Sequence, residues 1–176
     1  MAQFDYFIKI DGIPGESTDE KHKDEIEVLT YKFGMEHGDT GSTSTGGART
    51  GGRIRHQPFV FTKVIDKASP KLLEKACDGS HIPKAVFQAH RATGQKQKYL
   101  QIDLTDLIVS SWESKLVDQN EREASAKDGA GVMLQIEEVA LNYATIKFTY
   151  TLTDHNTGKP AGDVAAGWDL AKNKKI

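Results

Sequence analysis

Residues 141–151 read LNYATIKFTYT, followed by Leu152. Ala144, Ile146, Phe148, Tyr150 and Leu152 fall on one side of a two-residue period, against Tyr143, Thr145, Lys147, Thr149 and Thr151 on the other. Successive side chains of a strand point to opposite faces, so this pattern describes a strand with one packed face. Its β-branched and aromatic residues suit a pleated, half-buried surface. The same period recurs outward along the chain. Phe4, Tyr6, Ile8 and Ile10 oppose Asp5, Lys9 and Asp11, and Leu29, Tyr31, Phe33 and Met35 alternate with Thr30, Lys32, Gly34 and Glu36. Phe59 and Phe61 share a face with Lys63 and Ile65, with Val60 and Val64 behind them. Leu100, Ile102 and Leu104 alternate with Gln101, Asp103 and Thr105, and Val132, Leu134 and Ile136 begin a further strand. The fold class is mainly β, an antiparallel barrel or sandwich.

One helix interrupts the strands, over about residues 70–78. Ser69 is placed to cap it and Pro70 to occupy the first helical position, where a missing N–H costs nothing. Leu72, Leu73 and Ala76 form its apolar stripe, and Gly79 lets the chain turn out. Residues 113–127, charged and alanine-containing, read as a short helix or an exposed excursion between strands. Residues 38–52 contain six glycines, with serines and threonines among them and no apolar residue larger than Ala48. Such a stretch cannot bury a face of its own, so it reads as a long loop. No repeats or composition shifts divide the chain, and its 176 residues suit a single domain spanning 1–176.

Composition excludes several classes of function. The net charge of −2 comes from 25 acidic and 23 basic residues with both signs interspersed. The one basic cluster is Lys172, Lys174 and Lys175, a solvated end, so no nucleic-acid partner is expected. No apolar run approaches the roughly 18 residues of a membrane span, and the N-terminal MAQFDYFIKID lacks the charged and apolar regions of a signal peptide. Membrane insertion is not expected. The lone Cys77 cannot form an intramolecular disulfide and fits a reducing, cytoplasmic origin.

Candidate chemistry does not cohere. Gly46 and Gly51 match the glycine spacing of a phosphate-binding GxxxxGK[ST], but Gly52 and Arg53 stand where Lys and Ser/Thr are needed. A strand follows instead of the helix whose N-terminus would hold the phosphate. His22, His37, His56, His81, His90 and His155 show no metal-ligand spacing, and His81, beside Pro83, reads as packed or capping. Cys77, late in the helix beside Ala76, reads as a small buried residue. Glu25, Glu27, Glu137 and Glu138 read as solvent-facing or interface charges, and no GxSxG elbow is present. The expectation is no enzyme, no catalytic residue, no cofactor and no metal.

Several blocks together resemble a known family. They are KIDGIPGEST (9–18), KHKDEIEVLTYKFG (21–34), FTKVIDKASP (61–70), CDGSHIPKA (77–85) and LIVSS (107–111). LNYATIKFTYT resembles the family's closing strand, and AAGWDLAKN (165–173) the tail after it. The combination resembles the Hcp (hemolysin-coregulated protein) family, the tube subunit of the bacterial type VI secretion system. The resemblance implies a compact two-sheet antiparallel β-barrel with one prominent helix. It implies homohexameric rings stacked head-to-tail into a hollow tube, which sits in a contractile sheath, carries the valine-glycine-repeat spike protein and is expelled into target cells. It further implies effector proteins held in the lumen, and release through the apparatus without a cleaved signal peptide. Thr30, Lys32, Gly34 and Glu36 are the expected lumen-facing residues. The loop residues Gly38, Gly41, Thr45, Gly46, Gly47, Arg49, Gly51 and Gly52 are the expected ring-stacking contact. The alternative, a monomeric β-barrel module for a small ligand or carbohydrate, would use that loop as a lid.

Overall fold

A computed structural model describes residues 4–37, 54–91, 96–116, 135–154 and 159–176. The chain is mainly β, with eleven strands and one helix among these residues: β1 (Phe4–Ile10), β2 (Ile26–Val28), β3 (Thr30–Lys32), β4 (Met35–His37), β5 (Ile54–His56), β6 (Phe59–Val64), α1 (Ser69–Asp78), β7 (Ile82–Arg91), β8 (Gln97–Leu116), β9 (Gln135–Thr153), β10 (Pro160–Asp169) and β11 (Lys174–Lys175). Nine strands form one antiparallel sheet in the order β11-β10-β9-β8-β7-β1-β2, with β6 on β9 and β3 on β6, and β4 and β5 pair separately.

The sheet curls until its edges meet without closing as a continuous barrel. β2 bonds β1 and β3 bonds β6, and the break between them falls at Leu29. There a single bond, from Leu29 N–H to the Thr62 carbonyl at 2.8 Å, ties the edges. The expected two-sheet barrel is therefore one folded sheet plus a small hairpin. The strand expected over 29–36 is also two strands, because Phe33 and Gly34 lie outside any ladder.

The core is filled by the inward residues of this sheet, including Ile8, Phe59, Phe61, Phe87, Ile102 and Leu141, all essentially inaccessible to solvent. Phe87 is its aromatic centre, with ring centroids 4.4 Å from Tyr31 and 5.3 Å from Phe59. Buried positions follow the expected alternation with one change of phase. In β8 they run Leu100, Ile102, Leu104 and then Leu107, Val109; in β9 they run Val139, Leu141, Tyr143 and then Ile146. The phase changes at Asp106, held at φ 51°. This places Tyr143 inside, against its expected outward side, and burial pushes its hydroxyl up to about 12. The strand expected to begin at Val132 is seen from Gln135, its earlier residues lying outside the described ones.

Helix α1 seals one side of the core through Leu72, whereas Leu73 is exposed and Ala76 only partly covered. Its N-cap is Ala68, which has no capping side chain, not Ser69, because Ser69 lies in the first turn with Pro70 after it. Asp66 does the capping work instead, accepting the Ala68 N–H on Oδ1 at 2.8 Å. Gly79 ends the helix at φ 65°, its N–H donating to the Lys75 carbonyl. Cys77, expected to be buried, is exposed on the helix's outer side. Residues 113–116, expected as helix or excursion, continue β8, and the rest of 113–127 lies outside the described residues.

Candidate assembly surface

The polar side of β3 is laid out as its sequence suggests. Thr30 and Lys32 are exposed while Tyr31 and Phe33 turn to the core. Thr30 Oγ1 lies 2.7 Å from Thr62 Oγ1 of β6, and Lys32 Nζ lies 4.0 Å from Glu138 of β9. Small hydroxyls and a loose ion pair thus form a hydrophilic strip across three strands. Glu36 is exposed and Gly34 half-buried, but both lie beyond the break, Glu36 on the separate β4–β5 hairpin. The strip therefore joins Thr30 and Lys32 to Glu138, expected as a solvent-facing or interface charge, and to Thr62, which the sequence did not single out. The proposed stacking residues Gly38, Gly41, Thr45, Gly46, Gly47, Arg49, Gly51 and Gly52 lie outside the described residues.

Two apolar surfaces stand at opposite ends of β9. At its C-terminal end the core-facing side runs out past the curled body. Phe148, Tyr150 and Leu152 are exposed there, opposite Ala166, Val164 and Gly162 of β10. Met35 of β4, expected to face the core, is 48% exposed beside this surface and shares a groove of about 920 Å³ with Phe33, Ile54, Phe148, Trp168 and Ile176. Val164 is 60% exposed, and β10 pairs with β11 only at Trp168 and Asp169. Among the described residues, the length of β10 before Gly167, whose carbonyl accepts the Ile176 N–H, has an open outer edge carrying little charge. At the N-terminal end of β9, Leu116 is 64% exposed opposite Gln135, and the Ile65 N–H donates to the Gln135 carbonyl. An exposed apolar patch flanked by polar residues marks an interaction site, and an uncovered edge strand is a template for pairing.

Between these ends lies a polar network that reading the sequence missed. Lys63 and Glu137, both wholly buried, pair at 2.8 Å. Lys63 Nζ also donates to Asp66 Oδ1 at 2.7 Å and to the Val64 carbonyl at 2.8 Å. Glu137 accepts from Ser69 Oγ at 3.0 Å and from Trp112 Nε1 at 2.9 Å. Every buried charge is thus met by opposite charge and hydrogen bonds, as burial requires. The ladder sets Lys63 directly opposite Glu137, so β6, β8, β9 and the start of α1 are locked together. Glu137 was expected at the surface. The available signal was Lys63, in phase with Phe59 and Phe61, because a lysine on a core face needs a buried acid.

Two further histidines expected from the sequence lie apart from this network. His81, expected to be packed, is exposed and pairs with Asp106 at 2.5 Å. His56 lies 3.4 Å from the Tyr143 hydroxyl, and burial holds it below the usual imidazole range. Among the described residues no three His, Cys, Asp or Glu side chains gather as metal ligands.

The family model described as type VI secretion system effector, Hcp, matches residues 7–150. The chain belongs to the Hcp family. It is 34% identical over 170 residues to the protein hcp1 of Pseudomonas aeruginosa, covering 96% of each chain. It is 30% identical over 142 residues to that organism's major exported protein, covering 79% of this chain and 76% of the relative. A solved structure of a type six secretion system protein superposes with a TM-score of 0.82 at 30% identity, over 98% of this chain and 99% of that one. As an Hcp protein the chain is a structural tube component of the type VI system. Its blocks can now be given physical roles. FTKVIDKASP supplies Lys63, Asp66 and Ser69 of the buried network, and KIDGIPGEST supplies Gly15, whose added Cβ would lie 2.4 Å from the Glu25 carbonyl oxygen. The signature of this Hcp chain is largely an instruction for folding.

Proposed function

We propose that this Hcp chain acts as one domain that closes into hexameric rings, and that the rings stack head-to-tail into a hollow tube. The observation that carries the reading is the pair of unlike apolar surfaces at opposite ends of β9, one around Phe148, Leu152 and Val164 and the other around Ile65 and Leu116. Unlike surfaces on one subunit favour a heterologous contact, which makes a ring when its rotation closes. Thr30 and Lys32, joined by Gly34 and Glu36, face the lumen in this reading, where small and polar side chains let effector proteins pass with little adhesion. Residues 38–52 carry the ring–ring contact. The tube bears the valine-glycine-repeat spike at its tip, runs within the contractile sheath, and leaves the cytoplasm through the apparatus without a cleaved signal peptide. No catalytic residue enters this function.

Light scattering and negative-stain microscopy of the purified protein test it. Rings of six are expected, whereas a monomer at micromolar concentration would overturn the reading in favour of a small-ligand module using the groove. Cysteines introduced by Thr30→Cys and Lys32→Cys should react faster with a small thiol reagent than with a bulky one in assembled rings. Equal rates would count against a lumenal position. Deleting the centre of residues 38–52 should leave rings intact but abolish tubes, and unchanged tubes would sink the stacking role.

A further inference from the structure

Phe7 points away from the core on the outer side of β1, and residues 15–25 fold over it. This segment is closed on itself: Gly15 N–H donates to the Asp24 carbonyl at 2.8 Å, Ser17 N–H to that of Glu25 at 3.1 Å, and Asp24 N–H back to that of Ser17 at 2.9 Å. His22, near its tip, lies flat on the Phe7 ring, with centroids 4.3 Å apart and planes inclined by 7°. The His22 ring meets that of His90, from β7, nearly edge-on at 4.6 Å. Both imidazoles are only 4% exposed. His22 Nδ1 bonds Glu25 at 2.8 Å, but His22 Nε2 and both nitrogens of His90 are buried without a hydrogen-bond partner among the described residues. Buried polar atoms are rarely left so, and three in one contact make this the least satisfied polar spot described in the molecule.

The charges facing His90 come from every neighbouring element. Asp5 on β1 and Lys98 on β8 are its ladder partners. The folded-over segment brings His22 and Asp19, with Glu25 behind His22. Lys96 Nζ sits 4.4 Å above the Phe7 ring and binds both Asp19, at 2.5 Å, and Asp5, at 3.2 Å. The two carboxylates that could welcome a proton on His90 are therefore already held by Lys96. A second proton on His90 would be buried beside another imidazole and two ammonium groups.

We propose that residues 15–25 form an acid-released strap: protonating His90 lifts the strap from β1 and β7 and uncovers Phe7. Burial first, then the nearness of His22 and Lys96, holds His90 down at about 4. With the strap open the ring is hydrated and titrates near the ordinary 6.5 or so. The open form then binds a proton that the closed form refuses. Closure is at full strength above about pH 6.5 and weakens as the pH falls toward 4, so opening rises about 20-fold between pH 7 and pH 5.

Hydrogen exchange on the full chain, corrected for the intrinsic pH dependence of amide exchange, tests this directly. Amides of residues 15–25 should open about 20-fold more at pH 5 than at pH 7, while those of β9 stay level. His90→Phe keeps an aromatic ring but cannot titrate, and should flatten the rise to under about 3-fold. Equal protection at both pH values in the natural protein, or an undiminished rise in His90→Phe, would overturn the strap. Should His90→Phe not fold, NMR titration of the His90 ring in the natural protein decides: a midpoint near 4 supports the proposal and one near 6.5 refutes it.

Discussion

Replacing Lys63 with Met separates a buried charge pair from ordinary core packing. Met nearly matches the volume of Lys, so the cavity contribution is small and the cost is electrostatic. Glu137 would keep its bonds from Ser69 and Trp112 but lose its cation, and among the described residues no other ammonium or guanidinium is bonded to it. Stranding one member of a buried pair costs about 3–5 kcal/mol, a large share of the roughly 5–15 kcal/mol that stabilises a typical domain. The reverse change is gentler. Glu137→Gln keeps an acceptor for Trp112, and Lys63 retains Asp66 and the Val64 carbonyl, so about 1–3 kcal/mol is expected. The double variant Lys63→Met/Glu137→Gln removes both charges and should cost at least about 1 kcal/mol less than the sum of the singles, since contacting residues couple by about 0.5–3 kcal/mol. Urea unfolding, read by circular dichroism and by tryptophan fluorescence at a concentration giving one species in sedimentation, provides the cycle. A Lys63→Met cost below about 1 kcal/mol, or singles that simply add, would refute the argument that this pair is desolvated and coupled.

Gly15→Ala drives a Cβ to 2.4 Å from the Glu25 carbonyl oxygen; calorimetry should show a loss of about 1–3 kcal/mol, with faster exchange in residues 15–25. Asp66→Ala removes the acceptor for the Ala68 N–H and one partner of Lys63, and should lower the urea midpoint by an amount equivalent to about 1–3 kcal/mol. Phe87→Ala empties the aromatic centre of the core and should cost about 3–5 kcal/mol in the same assay. Val164→Arg alters an exposed residue, so unfolding should move by no more than about 0.5 kcal/mol while light scattering shows rings giving way to smaller species.

The strands most legible in the sequence were those with large residues on one face: β1, β6, the first half of β8 and β9. β7 and β10 were not singled out, and their composition says why. In β7 the core-facing run is Ala85, Phe87 and Ala89, with His90 buried on the other side, so small alanines and an off-phase histidine hide the period. β10, with its alanines and glycines, has weak strand propensity and is held by its ladder to β9. The helix matches its expected extent, but Ser69 does not cap it, although a hydroxyl before a proline is the usual signal. What the sequence could not display is that Glu137, 74 residues from Lys63, draws Ser69 inward to a different task. The apolar surfaces were hidden for a related reason. Phe148, Tyr150 and Leu152 carry the same alternation as core residues, and only the tertiary structure reveals that this face of β9 is exposed beyond Ile146.

That hand-over along β9 explains why a signature devoted to folding serves a protein whose work is assembly. From Ile136 to Leu141 the strand lies between β8 and β6, and from Thr145 to Tyr150 between β8 and β10, which alone among the described strands pairs with its last residues. It is therefore a continuous beam, fixed in the body by the Lys63–Glu137 network and reaching out to carry one apolar surface while its other end carries the second. Strands held on both sides resist bending, so the relative orientation of the two surfaces is set by the core rather than by loops. A ring closes only if the rotation between neighbours is the same at every joint, and a loosened beam would spread that angle. The buried network should accordingly matter to assembly as well as to stability: Glu137→Gln, under conditions where it remains folded, should give irregular or incomplete rings in micrographs, and uniform closed rings would show that the contacts alone set the angle.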